Sequence, residues 1–137
     1  TMYNSNGIGL AAVQVGILKR IVVIDISTKD GKKEPMSFIN PSIKKLSDET
    51  SVYEEGCLSI PNTFIKIERP KTCEVEYIDI EGNKKNLICD GLLSTCLQHE
   101  INHLDGKLII DHLSKLKRDL IIKKISKFKE SPDRIIV

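Results

Sequence analysis

The chain has 137 residues, enough for one domain that buries about two thirds of its unfolded surface and needs no disulfide bonds to fold. Its 21 Lys and Arg nearly balance 19 Asp and Glu, a net charge of +2, which disfavours a DNA-binding protein that must neutralise phosphates. We recognise no signal peptide and no apolar run of membrane length. The four cysteines form no CxxC pair. We therefore expect reduced thiols, no membrane partner and a cytoplasmic location, in a bacterial-type cell or an organelle.

The first part of the sequence predicts short strands between loops. Residues 1–16 are typical of a helix end followed by a glycine-containing loop. The run Ile21–Ile26 is β-branched and almost wholly apolar, which predicts a strand buried on both faces. Two prolines, Pro35 and Pro41, predict loops around a short strand near Phe38.

From Phe64 onward the sequence predicts strands and then helices. Apolar residues alternate with polar ones, and Ile65, Ile67, Cys73, Val75 and Tyr77 are expected to share one face. The turn IEGNKK predicts a hairpin whose second strand ends near Cys89. A helix is expected after Asp90, closed by Gly106. This order predicts an α+β fold.

The end of the chain predicts a short strand, LIID, and a last helix of residues 116–130 that begins after Ser114. The helix would place one row of apolar residues inward. These are Leu116, Leu120, Ile121 and Ile125.

The strongest chemical signal is the spacing His99-Glu100-x-x-His103. Residues four apart on a helix lie about 40° apart around its axis, so both imidazoles can reach one ion while Glu100 flanks it. The two histidines continue the apolar helix stripe of Leu92 and Cys96. The alternative is a pair of packed core histidines with a solvated glutamate, but buried polar groups need partners, which favours a metal site.

The identity of a third metal ligand is open on the residues alone. The long form of this motif ends in a histidine, but Ile109 occupies that position. His112 is separated from the helix and is typical of a loop residue, and Glu130 is the only later glutamate. An aspartate in a turn or a thiolate remains. Of the thiols, Cys57 is unusual because EEGCLSIP is not periodic, whereas the other three fit as small buried residues.

Three segments, GIGLAAVQ (7–14), EGCLS (55–59) and QHEINHLDG (98–106), give the sequence a resemblance to the peptide deformylase family. The resemblance covers nearly the whole chain, so we expect residues 1–137 to form a single catalytic domain. It implies antiparallel sheets packed around the HExxH helix, with a C-terminal helix. It also implies that the helix and strand that open other family members are missing before Thr1.

The resemblance implies removal of the formyl group from the N-terminal methionine of nascent polypeptides, with release of formate. Cys57 would then be the third ligand, beside His99 and His103. The implied native ion is Fe(II), which Ni, Co or Zn can replace. A thiolate ligand would weaken the ion as a Lewis acid and make the site sensitive to oxidation.

The resemblance also implies roles for the surrounding residues. Glu100 would transfer protons, while the Gln14 side chain and the Leu58 backbone N–H would donate to the oxyanion. Methionine would enter an apolar pocket too small for an acetylated substrate. The substrate-binding residues would be Ile8, Gly9, Gly56, Leu92, Thr95 and Cys96.

Two further features concern the surroundings of the site. Asn102 stands where the family usually has Asp, and its place on the helix predicts that it does not face the ion. The last helix is strongly basic, which favours a solvated outer face, and the resemblance adds docking on the ribosome. The basic residues are Lys115, Lys117, Arg118, Lys123, Lys124, Lys127 and Lys129.

Two other functions remain as alternatives. A zinc endopeptidase or aminopeptidase of the HExxH class is disfavoured by Ile109 and by the scarcity of acidic ligands downstream. A non-catalytic domain with a structural metal is disfavoured by Glu100 and by three ligands instead of four.

Overall fold

The computed structural model describes residues 1–27 and 31–128, and within them it contains seven strands and two α-helices. The strands are β1 (Gly9–Ala11), β2 (Ile21–Ile24), β3 (Met36–Leu46), β4 (Thr50–Cys57), β5 (Ile60–Pro70), β6 (Cys73–Ile78) and β7 (Lys84–Cys89). The helices are α1 (Gly91–Leu104) and α2 (Lys115–Phe128). All strand pairs are antiparallel, so the predicted α+β fold with antiparallel sheets is confirmed.

The larger sheet has the strand order β1-β2-β3-β6-β7 and packs against α1. Val22, Phe38 and Val75 point from it into a core that also contains Leu97 of α1, and all four side chains have no exposed surface. The predicted burial of both faces at Ile21–Ile26 is wrong. The strand ends at Ile24 and only alternate residues are fully buried, as expected where a single face is covered.

The strand around Phe38 is longer than its prolines predict. β3 runs for 11 residues and includes Pro41, which is buried. The pairing of β3 with β6 shifts register between Ile39 and Ser42, and Asn40 there has φ +50°. An irregularity of this kind accommodates a residue that has no N–H to donate. Pro35 lies outside the strand, as predicted.

The second sheet is a long hairpin of β4 and β5, which closes with Cys57 opposite Ile60. Ile65 and Ile67 face a separate core beside Ile109 and Ile110. They therefore do not share a face with Cys73, Val75 and Tyr77, which belong to the larger sheet, and that prediction is wrong. Alternation alone does not reveal that the chain changes sheets between Pro70 and Cys73.

The hairpin of β6 and β7 and the helix α1 agree with the sequence. Asp90 is the N-cap residue of α1, and Gly106 follows the helix with φ +76°. The strand predicted at LIID is wrong, because the chain forms a 3₁₀ helix there, Ile109–His112, with Leu108 as its N-cap residue. At the start of the chain, only a 3₁₀ turn at Tyr3–Ser5 stands where a helix end is predicted.

The last helix begins after Ser114, whose hydroxyl accepts a bond from the Lys117 N–H at 3.4 Å. Ile121 and Ile125 pack against the second core as predicted. Leu116 and Leu120 are instead 72% and 58% exposed, so the prediction is wrong for them. The predicted residues 129 and 130 lie outside the described part of the chain. No helix in the described ranges is long and apolar enough to span a membrane.

Truncation of Leu97 tests the packing of α1 on the larger sheet. We expect Leu97→Ala to lower the free energy of unfolding by about 2–5 kcal/mol, because it leaves a cavity at a fully buried position. Leu116→Ala, at an exposed helical position, should change it by less than about 0.5 kcal/mol. Urea denaturation of both variants measures the difference, and equal losses would contradict this packing.

Candidate metal centre

Three potential ligand atoms converge where the end of β4 meets α1. Cys57 is the last residue of β4, and its Sγ lies 3.2 Å from His103 Nε2. His103 Nε2 lies 3.1 Å from His99 Nε2, one helical turn earlier. All three atoms lie within 4.8 Å of one another. The structure thus brings together the three residues expected to form the metal site.

The spacing and chemistry of these atoms fit a divalent transition metal. A tetrahedral ion with usual bond lengths places its sulfur and nitrogen ligands about 3.3–3.6 Å apart, close to the observed distances. Burial raises the pKa of Cys57, but hydrogen bonds to His103 and His99 outweigh this and lower it to about 6. A thiolate is the form that binds metal. His112, exposed at the end of its 3₁₀ helix, and the buried Ile109 lie outside the ligand set.

The buried ion pair of Glu55 and Arg69 orients His99. His99 Nδ1 lies 2.9 Å from Glu55 Oε1, so His99 Nε2 is left to face Cys57 and His103. Two nitrogens of Arg69 donate to the Glu55 carboxylate at 2.7 and 3.0 Å, and a third donates to Asn102 Oδ1 at 2.8 Å. Burial raises the pKa of Glu55, but its bonds to His99 and Arg69 outweigh this and lower it. Asn102 therefore contacts the arginine and not the ligand atoms, as expected.

The contacts that join Glu55 to Arg69 and His99 are not predicted by the sequence. A signal was present, since Arg69 continues the inward phase of Ile65 and Ile67 on β5. An arginine in phase with buried apolar residues needs a buried partner. The glutamate beside Gly56 in the EEGC segment supplies it.

Glu100 lies beside the ligand set and is only 4% exposed. Its Oε2 is buried and has no hydrogen-bond partner within the described residues. Burial is the main reason why the pKa of Glu100 is raised to about 7. A carboxyl with this pKa can both accept and release a proton near neutral pH.

Gly9 allows β1 to approach this carboxyl. A Cβ at position 9 would lie 2.8 Å from Glu100 Oε1 and 2.7 Å from Cys96 Sγ, closer than real Cβ atoms come. A side chain added here would therefore have to displace the Glu100 carboxyl or the Cys96 thiol.

The Gln14 side chain is fixed at both ends. Its Oε1 accepts the Ala11 N–H at 2.8 Å, and its Nε2 donates to Ser59 Oγ at 2.9 Å. The same nitrogen lies 3.8 Å from Cys57 Sγ. Leu58 follows Cys57 in the turn between β4 and β5 and lines the neighbouring cleft. Both predicted oxyanion donors thus lie next to the ligand set.

A cleft of about 790 Å³ opens onto His99 and Glu100. It is lined by all six predicted substrate-binding residues, Ile8, Gly9, Gly56, Leu92, Thr95 and Cys96. Thr95 and Cys96 are buried, whereas Leu92 is 45% exposed. Tyr53 and Phe64 also line the cleft and were not predicted.

A sulfur and two imidazole nitrogens, a buried carboxyl beside them and an open cleft together define a metal-dependent hydrolase. Comparison with known proteins identifies the family within this class. The chain matches the family described as "Polypeptide deformylase" over residues 1–119.

Individual relatives agree with the family match. The peptide deformylase of Pelagibacter ubique (strain HTCC1062) is 61% identical over 137 residues, covering 100% of this chain and 78% of that protein. The peptide deformylase of Agrobacterium fabrum (strain C58 / ATCC 33970) is 54% identical over 127 residues, covering 93% of this chain and 75% of that protein.

Solved structures support the same assignment. The crystal structure of peptide deformylase from Ehrlichia chaffeensis superposes with a TM-score of 0.87 at 42% identity, covering 98% of this chain and 80% of that one. A structure of peptide deformylase from the same organism in complex with actinonin gives a TM-score of 0.87 at 43% identity, covering 96% and 78%.

The chain belongs to the polypeptide deformylase family, metal-dependent hydrolases of protein biosynthesis that remove the N-formyl group from the formyl-methionine of nascent polypeptides and release formate. The endopeptidase alternative is not favoured, because the match covers most of the chain and the relatives share one activity.

Loss of the Glu55 carboxylate tests the orientation of His99. We expect Glu55→Gln to weaken metal binding by about 10–100-fold, because it releases His99 and leaves Arg69 without an anionic partner. The control is Glu68→Gln, which alters an exposed glutamate next to Arg69 on β5. Competition with a chelating dye measures both affinities. Equal binding by the two variants would show that the ion pair does not orient the ligand.

Proposed function

We propose that Cys57, His99 and His103 hold the catalytic ion, and that Fe(II) is the native ion while Ni, Co or Zn can replace it. The observation that carries this proposal is the convergence of a thiol and two imidazoles beside a buried, unpartnered carboxyl. When bound, a divalent ion supplies a Lewis acid that polarises the formyl carbonyl and acidifies a water molecule. Three protein ligands leave a position open for this chemistry, as in other catalytic sites.

Glu100 is proposed as the group that moves the proton. It accepts a proton from the attacking water as the oxygen bonds to the formyl carbon. It then donates this proton to the departing methionine nitrogen as the C–N bond breaks, so that formate and a free amine result. Its pKa of about 7 supports both steps.

Gln14 and Leu58 are proposed to stabilise the negative charge on the formyl oxygen during attack. The Gln14 amide nitrogen already lies 3.8 Å from Cys57 Sγ, and its bonds to Ala11 and Ser59 hold it in place. The Leu58 N–H would be the second donor. Donors fixed before the reaction need no reorganisation as charge develops.

The cleft is proposed to bind the methionine side chain at Thr95, Cys96, Leu92 and Ile8, with the following residues along Gly9 and Gly56. Within the described residues β4 pairs only with β5, so its other edge is open to an extended peptide. The site uses both sheets, because Cys57 ends β4 while α1 packs on the larger sheet. We therefore propose that the chain acts as one catalytic domain.

Because the substrate is a nascent polypeptide, we propose a cytoplasmic location for the enzyme and docking on the ribosome. The relatives are bacterial, and nascent chains emerge in the cytoplasm, where we place the enzyme. The basic side chains of α2 between Lys115 and Lys127 are exposed and suit docking on ribosomal RNA. Lys129 lies outside the described residues.

Removal of the Glu100 carboxylate tests the proton transfer. We expect Glu100→Ala to lower kcat for a formyl-Met-Ala-Ser peptide by about 10²–10⁴-fold, with the metal content retained. Formate release by oxygen-free, Ni(II)-loaded protein measures the loss, and Glu81→Gln in an exposed turn is the control. Unchanged turnover by the Glu100 variant would remove the carboxyl from the mechanism.

Substrate size tests the shape of the pocket. We expect acetyl-Met peptides to be cleaved at least about 100-fold more slowly than formyl-Met peptides, because the additional methyl group would clash beside buried Thr95, Cys96 and Glu100. Parallel assays of kcat/KM with otherwise identical peptides give the ratio. Comparable rates would show that the site does not select for formyl.

Charge reversal tests the contribution of α2. We expect the triple variant Lys117→Glu, Lys123→Glu, Lys124→Glu to lose salt-sensitive co-sedimentation with ribosomes while it keeps its activity on free peptides. The matched control is Lys44→Glu, Lys45→Glu, Lys84→Glu, which alters exposed lysines of the larger sheet. Equal sedimentation of both variants would exclude α2 as the docking surface.

A further inference from the structure

Two cysteines that the reaction does not use face each other across β6 and β7. Cys73 is directly opposite Cys89 in the antiparallel register, with no irregularity in the pairing. Their exposures are 2% and 1%. Directly opposed residues of such a pair have Cα atoms about 4.5–5.5 Å apart, within the roughly 4.4–6.8 Å that a disulfide spans. The backbone spacing of the pair is therefore compatible with a cross-strand disulfide.

The surroundings make the two thiols chemically unequal. The Ser94 hydroxyl, in the first turn of α1, donates to Cys73 Sγ at 3.4 Å. Gln98 Nε2 fixes Ser94 Oγ at 3.0 Å and also donates to the Pro70 carbonyl at 2.9 Å. A hydroxyl donor and the N-terminal end of a helix both favour a thiolate.

The directions of the two pKa shifts agree with this geometry. The neighbouring Cys89 is the main cause that lowers the pKa of Cys73, to about 7, and burial opposes it. In return, Cys73 raises the pKa of Cys89. Of the two sulfurs, Cys73 is therefore the one that ionises more readily, and Cys89 is the one that keeps its proton.

We propose that Cys73 and Cys89 are a modification site, a dithiol that hydrogen peroxide converts into a reversible disulfide in the folded protein. The Cys73 thiolate attacks one peroxide oxygen and breaks the O–O bond, which yields a sulfenic acid and, after protonation, water. The Cys89 sulfur then attacks Cys73 Sγ, forms the S–S bond and displaces a second water as its proton is taken up. The two sulfurs lose two electrons and the peroxide gains them.

The position of β7 gives the oxidant access. β7 is an edge strand of the larger sheet, and Lys84, Lys85, Asn86 and Ile88 on it are exposed. Such strands open locally at lower free energy than the core.

The disulfide would hold the start of α1 without changing the metal ligands. Cys89 immediately precedes Asp90, the N-cap of the helix that carries His99 and His103. Ser94 and His103 are nine residues apart, about 13 Å along the helix axis. Oxidation at the pair is therefore distinct from oxidation of Cys57.

The test uses the folded, Ni(II)-loaded full chain, so that Cys57 is occupied by metal. The protein is treated with a small excess of hydrogen peroxide, quenched, unfolded and alkylated with N-ethylmaleimide, and its peptides are mapped by mass spectrometry with and without dithiothreitol. We expect a reducible linkage between the peptides of Cys73 and Cys89, and a rise in Tm on the order of 10 °C from closure of this hairpin loop.

Two variants assign the chemistry. In the Cys89→Ala variant, Cys73 should form a sulfenic acid that dimedone labels. In the Cys73→Ala variant, Cys89 should stay a free thiol after peroxide treatment and be fully alkylated by N-ethylmaleimide. The proposal is overturned if both cysteines of the parent chain remain alkylated, if linkages join only Cys57 or Cys96, or if the Cys73–Cys89 linkage forms only in urea-unfolded protein. It does not rest on the hydrolase activity, so failure of either idea leaves the other intact.

Discussion

The candidate metal centre depends on the buried contact between Arg69 and Glu55. Cys57 and Glu55 end one strand, Arg69 lies on its partner, and His99 belongs to a helix that packs on the other sheet. The ion pair joins these parts, because the carboxylate accepts from the arginine on one side and meets His99 Nδ1 on the other. An isolated charge at 6–7% exposure would be costly, so each member requires the others. The site is therefore assembled only when the β4–β5 hairpin docks against α1.

This constraint also explains the conformation of the chain around Cys57. The register of β4 and β5 shifts between Gly56 and Cys57, which turns the thiol out of the regular ladder and toward the histidines. Gln14 approaches the same sulfur from the segment after β1. Four segments that are distant in sequence thus contribute to one site. They are the segment after β1, the strands β4 and β5, and the helix α1, and the two hydrophobic cores fix their relative positions.

The sequence predicted the parts whose signals are local. The spacing of His99 and His103 fixes both on one helical face, and the turn around Gly82 and Asn83 defines the hairpin of β6 and β7. The prediction from sequence failed where tertiary contacts determine the structure. Pro41 suggests a loop, but a register shift accommodates it within β3. Leu116 looks inward-facing by periodicity, yet α2 contacts the protein mainly through Ile121 and Ile125. The contact of Glu55 with Arg69 spans 14 residues and two strands, so the phase of β5 indicates that Arg69 is buried but not which carboxylate it contacts.

Gly9 sets the distance between β1 and α1 where the cleft meets Glu100 and Cys96. The backbone passes Glu100 and Cys96 so closely that one added carbon would come within 2.8 Å of both side chains. The gap between β1 and these two side chains is thus too small for a methyl group. The loop acts as a spacer whose thickness is set by a missing side chain, and a side chain added there would meet the Glu100 carboxyl and the Cys96 thiol rather than Cys57, His99 or His103.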